Sequence, residues 1–155
     1  MNSGQRDRTR KPLLHAAYLN QLAELQTDIE KELAAIPAAK RFLVTNHEAF
    51  GYFAKAYNFQ VVGTVIPASS TLAEPSASDL TDLVTVMQAH HICTIFTETT
   101  VSDQLAQVLS GELSFCDNVQ VLPLYTGSLG PAGSGADSYV GFMRTNVAAI
   151  VAGLK

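Results

Sequence analysis

The chain has 155 residues, of which 47% are hydrophobic and 15% charged, so it has the apolar content for a packed core and room for one ordinary domain. Its formal net charge of −4 speaks against a general nucleic-acid binder. No apolar run approaches the ~20 residues of a membrane-spanning helix, and the polar start has no apolar stretch behind it of the kind a secretory signal needs.

Charge is unevenly spread. Arg6, Arg8, Arg10 and Lys11 crowd the start, whereas after residue 60 only Arg144 and Lys155 are basic against eight acidic residues. An acidic half suits a cation better than a phosphate, and equally suits a surface kept soluble. Residues 1–10 read as a flexible basic tail.

Residues 11–36 read as one long amphipathic helix. Tyr18, Leu22, Leu25, Ile29, Leu33 and Ile36 recur at steps of three and four, which draws a single apolar stripe. At 1.5 Å per residue such a helix is roughly 37 Å long, and Pro37 ends it. Residues 37–155 form the remaining lobe. The strand-like run Phe42-Leu43-Val44 is followed by a helix with Phe50, Phe53, Ala54 and Tyr57 on one face. The second run is Phe59 to Val65, and a loop with Pro67 and Pro75 leads to a helix carrying Leu80, Leu83, Val84 and Met87. The third run, Ile92 to Phe96, precedes a helix with Leu105, Val108 and Leu109. The fourth, Val119 to Leu124, leads through a glycine-rich loop at 127–135 into a last helix with Tyr139, Phe142, Met143, Val147 and Ile150.

Thr45 with Glu48, and Ser76 with Asp79, match the capping-box spacing that satisfies the first amides of a helix. Alternating apolar strands and helices predict an α/β fold, a small doubly wound four-stranded parallel sheet of order 2-1-3-4 behind the long helix.

In such sheets ligands bind at the carboxyl ends of the strands, near the point where strand order reverses. The groups past strands one, three and four are Thr45-Asn46-His47, Thr97-Glu98-Thr99 and Thr126-Gly127-Ser128, and they are expected to converge there. His47 is placed in a helix first turn, where the dipole favours the neutral imidazole a metal needs; a capping-region histidine making one hydrogen bond fits the same position. Glu98 can ligate a metal, orient a ligand or cap the next helix. His15, His90 and His91 read as helix-end or solvent residues. The glycine-rich loop lacks the lysine of a phosphate-binding loop and does not follow the first strand. With no nucleophile elbow, HExxH or CxxC, an acid–base enzyme built on His47 and Glu98 is the weaker reading, and the chain is expected not to be an enzyme. Cys93 and Cys116 stand near the starts of neighbouring strands and are either bridged or free buried thiols.

The segments LVTNHEAFGYFAKAYNFQVVGTV, AEPSASDLTDL, CTIFTETTVS and LYTGSLGPAGSGADSYVGFMRTNVAAIV occur in that order. Together they resemble the C-terminal half (linking helix and C-terminal lobe) of the zinc/manganese solute-binding proteins of ABC importers, over residues 14–155. The resemblance implies two lobes joined by a rigid helix, with Zn²⁺ or Mn²⁺ held between them by four ligands. It makes His47 the third metal ligand, Glu98 an acidic residue beside the metal or a substitute ligand, and Gly127 the position of the usual fourth ligand, an aspartate. It also implies an ABC permease as partner and a periplasmic or cell-surface lipoprotein setting. The family's N-terminal lobe and export signal are not found in this sequence, so the expected metal site is partial. The alternative is a degenerate interaction module that binds no metal. The spine helix, deprived of cover, is expected to support a homodimer.

Overall fold

A computed structural model describes residues 4–65, 76–99 and 104–155. Helix α1 (Gly4–Leu33) is followed by a single 3-10 turn at Ala38–Lys40, and then strands and helices alternate: β1 (Phe42–Thr45), α2 (Gly51–Tyr57), β2 (Gln60–Thr64), α3 (Ala77–Ala89), β3 (Thr94–Glu98), α4 (Gln104–Glu112), β4 (Gln120–Leu124) and α5 (Tyr139–Leu154). The four strands form one sheet in the order β2-β1-β3-β4, every pair parallel. This is the α/β sheet that the apolar runs predict.

The sheet is covered on both faces because its strands are apolar on both. Successive residues take opposite sides. Leu43, Phe96 and Leu124 join the core under α1, α2 and α5, with Ile29, Leu33, Val147 and Ile150. Val44 and Ile95 join the core under α3 and α4, with Leu83, Met87 and Leu109. A register shift between Leu43 and Val44 interrupts the β1–β2 pairing. Between β3 and β4 the register runs without interruption from Thr94 opposite Gln120 to Glu98 opposite Leu124.

Three expectations are corrected. Helical backbone begins at Gly4 and runs through the segment expected as a tail, and α1 stops at Leu33 instead of Ile36. The earlier stop follows from the Arg41 guanidinium, which donates to the Leu33 and Ile36 carbonyls at 3.0 and 3.2 Å and turns the chain before Pro37. Thr45 and Glu48 form no capping box. The Thr45 hydroxyl donates to the His47 carbonyl at 2.8 Å, a local turn that competes with helix initiation, and α2 starts only at Gly51 behind Phe50, which offers no side-chain cap. The Ser76–Asp79 box is present in both directions. The loop with Pro67 and Pro75 lies outside the described residues. Cys93 and Cys116 form a disulfide.

Along α1 the apolar stripe is buried at Leu25, Ile29 and Leu33, and Ile36 beyond the helix end is buried too, whereas Leu14, Tyr18 and Leu19 are exposed. No helix among the described residues is long and apolar enough to cross a membrane.

Candidate functional site

The sheet order reverses between β1 and β3, and the chain places a polar cluster at that mouth. Thr45 and Glu98 end their strands, and the Asn46 amide donates to the Phe96 carbonyl at 3.2 Å, which draws the turn after β1 against β3. Glu98 is buried, 2% exposed, and both carboxylate oxygens are engaged. Its Oε1 accepts from the His47 amide at 3.2 Å and faces His47 Nδ1. Its Oε2 accepts from the Thr126 hydroxyl at 2.5 Å, on the segment after β4. A buried carboxylate needs this many partners to remain inside the fold.

His47 therefore sits in a bend before α2, not in a helix first turn. The expected helix-dipole effect does not apply to it. A carboxylate faces its ring instead. Nδ1 is shielded from solvent and, among the described residues, makes no hydrogen bond of good geometry, so the Glu98 oxygen is the acceptor available to it. A ring carrying its proton at Nδ1, toward that carboxylate, would present Nε2 as its lone-pair nitrogen, on a side chain that is 32% exposed.

All three strand-end groups expected to converge thus do so, through Glu98. Gly127 follows Thr126 at this rim with φ +68°, and a Cβ built there meets nothing within 4 Å. The remaining histidines are elsewhere. His15 is an exposed residue of α1, and His90 and His91 close α3 ahead of β3, at the opposite edge of the sheet, where His90 lies 4.5 Å from the Phe42 ring centroid. Among the described residues no three His, Cys, Asp or Glu side chains gather around one point that could hold a metal. The glycine-rich loop closes on itself. Gly130 N donates to the Ala136 carbonyl at 2.9 Å and Gly133 N to the Asp137 carboxylate at 2.8 Å, so an internal anion already takes that amide.

One positioning residue escapes sequence reasoning. Asn146, buried in α5, accepts from the Tyr125 amide at 2.8 Å and donates to its carbonyl at 2.9 Å. This two-point clamp sets the backbone one residue before Thr126. The available signal was a polar residue directly before the apolar run Val147 to Ile150. Beside the clamp, between α2 and α5, opens a cavity of about 390 Å³ walled by Phe50, Phe53, Tyr57, Tyr125, Tyr139 and Phe142. Burial pushes the Tyr57 phenol above its ordinary range. Nearby Tyr139 and Glu30 add to that shift, against the hydrogen bond with Gln26. Tyr57 therefore presents a neutral hydroxyl at neutral pH.

In a doubly wound sheet ligands bind outside the strand ends near the switch point, and that is where the His47–Glu98 pair stands here. The chain belongs to the family of ZnuA, zinc-uptake complex component A, periplasmic, whose model matches residues 14–153. It is similar to the zinc-binding protein TroA of Treponema pallidum, 32% identical over 142 residues that cover 90% of this chain and 46% of TroA. It is also similar to the manganese-binding lipoprotein MntA of Halalkalibacterium halodurans, 31% identical over 90% of this chain and 45% of MntA. The solved structure of periplasmic TroA superimposes with a TM-score of 0.79 at 33% identity, over 90% of this chain and 50% of that one. The chain spans about half the length of the curated relatives it matches.

Proposed function

We propose that the chain is the C-terminal lobe of a zinc or manganese solute-binding protein, in which His47 ligates the ion through Nε2 and Glu98 acts as a positioning residue behind it. The observation that carries this reading is the buried Glu98 carboxylate set against His47 Nδ1, the arrangement that fixes the tautomer and raises the basicity of a metal-bound histidine. Because both Glu98 oxygens are engaged by His47 and Thr126, Glu98 serves the ring and not the ion. Gly127 supplies no donor. The ligand set on this lobe is therefore incomplete, and the work is binding, not catalysis.

The names of the relatives support this function, as does the family's zinc-uptake description. By the same reading the partner is an ABC permease and the setting periplasmic or lipoprotein-anchored. The Cys93–Cys116 bridge agrees with an oxidising compartment. The uncovered Leu14, Tyr18 and Leu19 on α1 form the surface through which the chain would self-associate, and light scattering at high concentration should then show a dimer; a clean monomer would count against it.

Calorimetric titration with zinc tests the assignment. His47→Ala is expected to abolish the binding heat, and Glu98→Gln to weaken affinity by about 10- to 100-fold in a protein that still unfolds cooperatively. Binding indifferent to His47→Ala would contradict it. Absence of zinc and manganese binding in the unaltered chain would leave the interaction-module reading.

A further inference from the structure

At the amino edge of the sheet lies a second cavity, of about 180 Å³, to which Phe42 of β1 and Thr94 of β3 both contribute. These two strands are neighbours, yet they pair at one register position only, Thr45 opposite Phe96 near their carboxyl ends, whereas β3 and β4 pair at five. The cavity opens where that pairing has stopped. Lys40, His90, His91, Asn118, Gln120 and Lys155 give it a polar lining, and among the described residues no acidic side chain joins them. After residue 60 the sequence has only two basic residues against eight acidic ones, so this lining departs from its surroundings. Asp117, next to Asn118, is exposed and lies outside it. The Lys40 ammonium donates to the Lys155 main-chain oxygen at 3.4 Å and has further protons to offer. The Cys93–Cys116 bridge and the bond from the Gln120 amide to the Cys93 carbonyl at 2.9 Å hold the segment with Asn118 against β3.

One lining residue is conformationally out of place. Helix α3 ends in a Schellman motif, in which the Ile92 amide donates to the Met87 carbonyl at 2.9 Å and the His91 amide to the Gln88 carbonyl at 3.2 Å. His91 takes the left-handed position of that motif, with φ +51°, where glycine is usual because it has no Cβ to strain. Its ring is exposed, so core packing does not repay that strain. Strained residues of this kind cluster at functional sites.

We propose that this cavity binds a small oxyanion of the phosphate kind, with the Lys40 ammonium and the His91 imidazole as its main donors and the side-chain amides of Asn118 and Gln120 completing the shell. Hydrogen bonds between a charged donor and an oxyanion are among the strong ones. The volume lies below the ~300 Å³ at which sites for drug-sized ligands begin, so the ligand is the free ion and not a phosphate carried on a larger body. Neither His47 nor Glu98 takes part, and no metal is required.

Inorganic phosphate is the probe, titrated into the metal-free chain against sodium chloride of matched ionic strength. The side-chain amides of Asn118 and Gln120 are followed by NMR, and the melting temperature is recorded with and without the ion. Phosphate is expected to shift those two amides saturably and to raise the melting temperature, because a ligand that binds only the folded chain stabilises it. Chloride should do neither. His91→Gly relieves the left-handed backbone, so it should melt no lower than the parent chain. It should nevertheless bind phosphate at least about tenfold more weakly, the loss expected for one strong donor. Lys40→Ala should weaken binding by as much, and Lys40→Arg, which keeps the charge, should retain most of it. No saturable shift in the unaltered chain, or an equal one in chloride, would overturn the site. So would phosphate affinity unchanged in both His91→Gly and Lys40→Ala. A His91→Gly chain that melts lower than the parent and binds phosphate as tightly would overturn the role given to His91.

Discussion

Asn146 shows how little separates a formed rim from a collapsed one. Its amide takes both polar groups of the Tyr125 backbone inside the fold, and truncation leaves them without partners. Asn146→Ala should cost about 2 kcal/mol of stability and shift the Thr126 amide resonance. A neutral effect on both measurements would contradict the clamp. His47 and Glu98 were legible in the sequence because strand ends locate them without any knowledge of side-chain partners. Asn146 and the Thr126 bond to Glu98 were not, since each depends on elements distant in sequence meeting at one atom. The same limit explains why His47 was misplaced onto a helix: the Thr45–Glu48 spacing was right, but the Thr45 hydroxyl bonds the His47 carbonyl instead.

Among the elements, α1 and α3 show two ways of finishing a helix. The end of α1 is held by Arg41, which donates to the carbonyls of Leu33, Ile36 and Tyr57 while its guanidinium carbon lies 5.6 Å from the Phe59 ring centroid. One planar fork thus ties α1, α2 and β1 together, a geometry that an ammonium cannot reproduce. Arg41→Ala is expected to lower stability by about 2 kcal/mol, and Arg41→Lys to recover only part of it in chemical denaturation. Helix α3 is closed at its start by Ser76 and Asp79. The bonds that Asp79 accepts from the Ser76 side chain and backbone hold its carboxyl below the ordinary range. A group with a lowered folded pKa contributes stability above its unfolded pKa and loses it as pH falls through the folded value. Asp79→Asn should therefore lower the melting temperature at neutral pH, with the difference from the parent chain vanishing in acid. A difference independent of pH would contradict it. The number, type and order of elements were legible from apolar periodicity. Their ends were not, because Leu33 and Gly51 are set by Arg41 and Thr45 acting through hydrogen bonds that no periodicity records.

For the molecule as a whole, the sheet's two edges have separate tasks. The carboxyl edge carries the polar cluster, and the opposite edge is fastened by the disulfide between Cys93, ahead of β3, and Cys116, ahead of β4, 23 positions apart. Closing a loop of that size constrains the unfolded chain by about 3 kcal/mol, so reduction should lower the melting temperature by roughly 10 °C while leaving zinc affinity unchanged. Loss of zinc binding on reduction would show that the two edges are coupled. The metal-facing claim itself is tested most directly by ¹⁵N NMR of the histidine ring nitrogens during zinc addition. The account predicts that Nε2 of His47 shifts while its Nδ1 keeps its proton, and that His15, His90 and His91 do not respond. A response confined to those three, or zinc binding at His47 through Nδ1, would contradict it.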